Sequence, residues 1–255
     1  MTGAAELLSL AWGALWIHFV VFLRVGPVMS LFPGFGESSV PVRIKLMLAL
    51  GFTVIVTPAL APLLTGSAGM AFGMLVVAET GVGLVIGIGV RLFLLALQTA
   101  GSMAAQATSL SQILGPASVT PLPAMGHLLV VAALALSMML GLHIRVAEMV
   151  ILTYDILPVG RLPDAATVTQ WGIGQVASAF SLAFGLAAPF VIVSVIYNLA
   201  LGIINRAMPQ LMVVFVGAPV ITAAGLVLLM LLAPVMLTVW MTAFDRFITN
   251  PFGAG

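Results

Sequence analysis

Glu79 and Arg91 are the charges inside a long apolar stretch, Met70 to Ala100. A carboxylate and a guanidinium at that depth suit an ion pathway or an ion pair between helices. They stand 12 positions apart, about 18 Å along a helix and roughly 120° around it, so they do not pair within one straight helix. The alternative is that each lies near an opposite membrane interface and extends its charge to water. Between them runs Gly81-Val82-Gly83-Leu84-Val85-Ile86-Gly87-Ile88-Gly89, with Gly83 and Gly87 at GxxxG spacing. That spacing favours close helix packing. A nucleotide-binding glycine loop would need a preceding strand and a βαβ context, neither of which this sequence offers.

Arg206 is the one charged residue in the 80 positions from Ala165 to Phe244. An ionised side chain within a bilayer costs about 2.5 to 3.5 kcal/mol on insertion scales, so it needs a partner, a cavity or an interface. Its setting is Asn205-Arg206-Ala207-Met208-Pro209-Gln210-Leu211. Pro209 lacks an N–H and breaks or kinks the helix ending near Arg206, freeing carbonyls that Asn205, Arg206 and Gln210 can engage. The result is a polar elbow, either a functional site or a tight interfacial turn.

The stretch Gly101 to Pro116 is uncharged yet rich in small and hydroxyl residues. Gln106, Ser109 and Gln112 recur at helical spacing, which gives one face that can meet water, while Gly115-Pro116 and Pro121 to Pro123 break the pattern. A pore-lining or re-entrant segment fits, because irregular backbone at membrane depth needs a cavity or surrounding protein. The alternative is an ordinary connecting loop. Arg145 and Glu148 stand at i and i+3, and Asp155, Arg161 and Asp164 follow in a Pro-containing connection, which reads as a solvated loop with local ion pairs. An acid/base or metal role for Asp155 and Asp164 would need convergent partners that the sequence does not show. His18, His127 and His143 are widely separated and there is no cysteine. The expectation is therefore no metal, no cofactor, no disulfide and no enzymatic activity. The 15 methionines read as adaptable packing.

The elements that hold these residues are apolar helices. With 62% hydrophobic and 6% charged residues, against about 25% charged in an ordinary soluble domain, the chain cannot cover a soluble globule with polar surface. It reads as an all-α integral membrane protein. Runs such as Leu226 to Val235 are apolar on every side, unlike the alternating strands of a barrel. A net charge of +1 gives no support to nucleic-acid binding. No Lys or Arg precedes Arg24, so the basic region of a cleavable signal peptide is lacking and the first segment is expected to stay. About six hydrophobic segments can be marked: Leu7 to Leu31, Leu46 to Leu64, Met70 to Ala100, Ala124 to Leu142, Ile173 to Ile204 and Leu211 to Ala243. They form one domain over residues 1–255. Three of them exceed the roughly 20 residues of a span by a wide margin, which demands tilt, a kink or partial exclusion from lipid. Lys and Arg in the connections divide three to three between alternate sides, so charge sets no orientation.

Several motifs together resemble the FliR/SctT family of type III secretion export-gate proteins. They are Ile204-Asn205-Arg206-Ala207-Met208-Pro209-Gln210 followed by Val216-Gly217-Ala218-Pro219; Arg24 with Pro33-Gly34-Phe35-Gly36 and Val40-Pro41-Val42-Arg43; and Ile156-Leu157-Pro158-Val159-Gly160. The resemblance covers nearly the whole chain. It implies a component of the flagellar export gate in the bacterial inner membrane at the flagellar basal body. Its implied partners are FliP and FliQ homologues, FlhB and FlhA homologues, and unfolded export substrates. It implies bent helical hairpins packed into a helical export-gate assembly, and a plug loop at 103–119. Family members often carry bulky aromatics and an Asp-Pro in that loop, whereas here Met103, Ile113 and Leu114 are the apolar candidates, beside Gln106, Ser109, Gln112, Gly115 and Pro116. The homologous injectisome component is the nearest alternative. A secondary transporter using Glu79 and Arg91 is the alternative from another class, and a membrane enzyme is disfavoured by the dispersed histidines and carboxylates.

Overall fold

The computed structural model describes residues 2–37, 39–64, 69–108, 124–208 and 213–253. All regular structure among them is helical apart from short turns: α1 Thr2–Leu31, α2 Val42–Leu64, α3 Phe72–Ala107, α4 Ala124–Met139, α5 Leu142–Ile156, α6 Ala165–Ala207 and α7 Val213–Thr249. The expected all-α membrane architecture is what is observed. Helices prevail because an apolar segment without water must satisfy its backbone groups internally. Five helices are long and apolar enough to cross a membrane, or six if α4 and α5 form one broken span. The 43 residues of α6 extend about 65 Å at 1.5 Å per residue, roughly twice the hydrocarbon thickness.

Two boundaries differ from the sequence reading. The segment Ala124 to Leu142 does not end in a loop: α5 follows α4 after Leu140 and Gly141, with Gly141 left-handed at φ 81°. Residues 145–156, read as part of a solvated loop, are helical. Their charges hid a helical apolar period, since Leu142, Val146, Met149, Val150 and Thr153 are all buried. Arg145 pairs with Asp245 of α7. In addition, α3 runs on to Ala107, so Met103 and Gln106 belong to its last turns and not to a loop. Alanine and glutamine there support a helix, and hydropathy alone ended the segment early.

The chain falls into two compact units. Unit 1 comprises residues 1–92, 138–175 and 244–255. Its buried residues include Val21, Val25 and Val28 of α1, Val56 and Leu60 of α2, Leu75, Val82 and Ile86 of α3, and Val146 and Met149 of α5. Unit 2 comprises residues 93–137 and 176–243. Leu97 and Ala104 of α3, Leu129 and Ala133 of α4, Ala187 and Phe190 of α6, and Trp240 of α7 are buried there. The Trp240 indole donates to the Phe93 carbonyl at 2.8 Å, satisfying the one polar atom of its side chain.

Candidate functional site

Arg24 is fully buried on α1, in a row of valines. Its Nε donates to Glu79 Oε2 at 2.8 Å and its Nη2 to Glu79 Oε1 at 3.2 Å, a bidentate pair of the strong, charge-assisted kind. Nη2 also donates to the Leu157 carbonyl at 2.9 Å. Nη1 donates to the carbonyl and hydroxyl oxygens of Thr153 at 3.1 and 3.4 Å. A guanidinium carries five N–H groups, and each of them meets an acceptor here. The Tyr154 ring lies 3.7 Å from the guanidinium carbon, in cation–π contact. Glu79 is likewise fully buried and accepts a third hydrogen bond from the Gly160 N–H at 2.9 Å.

Local sequence explains the placement. At the negative end of the α5 dipole Arg24 supplies the donor for the Leu157 carbonyl and adds a second one to the Thr153 carbonyl, which also accepts the Leu157 N–H at 2.9 Å. Pro158 prevents α5 from continuing, since the residue before a proline avoids helical backbone, and Leu157 stands at φ −121°, ψ 86°. Gly160 then turns left-handed at φ 70°, which aims its N–H at Glu79. A Cβ at Gly160 would also meet the Met70 sulfur. Leu157-Pro158-Val159-Gly160 is thus a connection whose backbone completes the charge network. On the opposite side, α3 approaches α1 through its glycines. A Cβ on Gly83 would collide with the Arg24 carbonyl oxygen, and one on Gly87 would stand 3.0 Å from the Leu31 side chain. The GxxxG reading is met.

Of the charges singled out from sequence, Glu79 is therefore an interhelical ion-pair member, and it does not extend to an interface. Its partner is Arg24, not Arg91. Arg91 is half-buried further along α3 and forms no ion pair among the described residues. Asn205 and Arg206 are exposed on the last turn of α6, where a cation complements the helix dipole, and Met208 N–H closes on the Ile204 carbonyl at 2.8 Å. Pro209 and Gln210 lie outside the described residues, as do Ser109, Gln112, Ile113, Leu114, Gly115 and Pro116. Met103 is half-buried and Gln106 exposed at the end of α3. The helix closes on Thr108, whose side chain occupies the space that a Cβ on Gly225 would need, while Thr222 Oγ1 donates to the Thr108 carbonyl at 3.3 Å. Asp164 caps α6 by accepting from the N–H and hydroxyl of Thr167, each at 3.0 Å, and those bonds hold its carboxyl below the ordinary range. Asp155 is exposed on α5.

Sequence reasoning did not single out Arg24, Thr153 or Tyr154 as site residues. A signal for Arg24 was present: it is the sole charge between Glu6 and Glu37, the same kind of isolation that marks Arg206. Thr153 and Tyr154 carried none.

The model of the bacterial export proteins, family 1, matches residues 15–247. The chain belongs to that family. Similar curated proteins are the flagellar biosynthetic protein FliR of Caulobacter vibrioides, 33% identical over 88% of this chain and 91% of that protein, that of Escherichia coli, 30% identical over 86% and 85%, and that of Bacillus subtilis, 25% identical over 89% of each. Export family 1 is a class of export-apparatus components rather than of enzymes. The matched span takes in the whole Arg24–Glu79 network, the end of α3 and residues 205–210. In an export component the network reads as a clamp: it joins α1, α3, the end of α5 and the connection to α6 with no donor of Arg24 left over.

Proposed function

We propose that this chain is a channel-forming subunit of the flagellar type III export gate. In this reading it sits in the bacterial inner membrane at the flagellar basal body, packed with FliP and FliQ homologues beside FlhA and FlhB homologues, and unfolded flagellar subunits are its cargo. The observation that carries the reading is the 33% identity to a flagellar biosynthetic protein over 91% of that protein's length. Physical support comes from α6. Ile192, Val195, Ile196, Leu199 and Ile203 are each about three-fifths exposed, on a helix too long for one perpendicular span. Neighbouring subunits would cover such a surface. Isolation of the tagged chain from membranes is expected to bring FliP-like and FliQ-like subunits with it, and a chain that is stable and alone would overturn the proposal in favour of an autonomous transporter.

In the same reading, residues 103–119 form the plug. Met103 and Gln106 are its helical stem, tied to α7 through Thr108, and Ser109, Gln112, Ile113, Leu114, Gly115 and Pro116 belong to the closing segment. Removing residues Gln106 to Gly115 should make the assembled complex conduct small ions in planar bilayers; an unchanged conductance refutes the plug. Asn205, Arg206, Pro209 and Gln210 are a structural elbow that satisfies freed polar groups or binds partner helices. Arg206→Leu is expected to lower recovery of the assembled complex on size exclusion, and an intact complex with altered conductance would show that the elbow lines the channel instead.

A further inference from the structure

The first turns of α6 are built from residues that favour a helix poorly. Thr167, Val168, Thr169, Gly172 and Gly174 fall within a short stretch, and each ranks low in helix propensity. The Thr169 hydroxyl bonds back to the Ala165 carbonyl at 2.8 Å, which weakens a helix slightly. Packing does not require either glycine, since a Cβ on Gly172 or Gly174 would meet nothing within 4 Å. No residue from 165 to 174 is buried. Trp171 ties these turns to the rest of unit 1. Its indole N–H donates to the Pro251 carbonyl at 2.8 Å, and its ring centroid lies 5.6 Å from that of Phe252 and 6.4 Å from that of Phe247. Gly89 of α3 leaves the room, because a Cβ there would stand 2.8 Å from Trp171 and 2.7 Å from Phe247. Pro251 and Phe252 belong to a turn that follows α7, in which the Gly253 N–H donates to the Asn250 carbonyl at 3.2 Å. Pro251 is buried and Phe252 half-buried.

A helical segment of weak propensity stays folded when tertiary contacts supply the difference, and it opens locally when they are withdrawn. We propose that the turn Asn250–Gly253 is a strap with Trp171 as its catch. Docked, the strap keeps the start of α6 helical; released, it lets residues 165–174 unfold while the other helices stay folded. Thr167, Thr169 and Gln170 are exposed and lie ahead of the apolar run that begins at Ile173, so backbone opened there meets water and not lipid. The device is independent of any role in export.

Hydrogen–deuterium exchange on the detergent-purified full chain tests this. Phe252→Ala should speed exchange of the amides from Thr167 to Gly174 about tenfold, with exchange in α1 and α5 unchanged. Adding Gly172→Ala and Gly174→Ala raises helix propensity where nothing stands in the way. The two alanines should return the parent rate although the strap stays weakened. Unchanged exchange in Phe252→Ala, acceleration spread over all the helices, or a loss that the alanines do not reverse overturns the proposal. Should Phe252→Ala not accumulate, Trp171→Phe keeps a ring beside Phe247 and removes the indole donor. It should speed the same amides about threefold, and a rate equal to the parent's overturns the strap.

Discussion

Arg24→Met will cost the folded protein about 3 to 5 kcal/mol, the usual penalty for leaving one member of a buried ion pair without its partner. Glu79 would keep only the Gly160 N–H, and the carbonyl of Leu157 would lose the donor it has at 2.9 Å. Glu79→Leu should be nearly as damaging, because the guanidinium would remain buried against two carbonyls and the Tyr154 ring. The double variant Arg24→Met with Glu79→Leu removes both charges and should recover part of the loss. Full recovery is not expected: Leu157 and Gly160 would still present buried backbone groups without partners, at about 1 to 3 kcal/mol each. Thermal stability followed by fluorescence-detected size exclusion, on the complex extracted from membranes, reads all three variants. Single variants as stable as the parent would show that water reaches the pair and that the clamp is not structural.

Gly83→Val should abolish accumulation of the folded chain, while Gly81→Ala should change stability by less than about 1 kcal/mol, since a helix interior generally prefers alanine to glycine. Both glycines lie in the same run on α3, and composition does not distinguish them. Their surroundings do. Nothing lies within 4 Å of a Cβ built on Gly81, whereas one on Gly83 meets the backbone oxygen of Arg24 and stands 3.2 Å from Pro27 Cβ. Backbone cannot rotate away as a side-chain tip can, so α1 and α3 must separate, and separation stretches the Arg24–Glu79 contacts. Gly83→Ala combined with Arg24→Met should therefore cost less than the sum of the two, because both damage the same coupling. Membrane abundance by immunoblot and the same thermal assay check this; an additive double variant would mean that glycine packing and ion pairing are separate matters.

Much of the fold was legible in the linear chain. Long charge-free runs require helices in a bilayer whatever their packing, and the glycine spacing in α3 announced a close contact. Reading failed where the signal was not local. Arg145, Glu148 and Asp155 looked like a solvated loop because hydropathy averages over a window, and a few charges outweighed a buried stripe at Val146, Met149, Val150 and Thr153. The family resemblance puts Met103 and Gln106 in a plug loop, and apolar content drops after Ala100, although nothing in that composition stops a helix.

The charges show the division most plainly. Sequence by itself determined that the chain is an all-helical membrane protein of an export family. It also determined that Glu79 needs either a partner or an interface, since transfer free energy depends on residue type and length of run. It could not say which partner. Glu79 and Arg24 are 55 positions apart, and their meeting depends on how α1 and α3 are rotated and shifted against each other, which the Gly83 contact and the α5 terminus settle. Tertiary structure alone decided that Arg24 pairs with Glu79 while Arg91, nearer in sequence, does not, because pairing is set by the register of separate helices and not by distance along one of them.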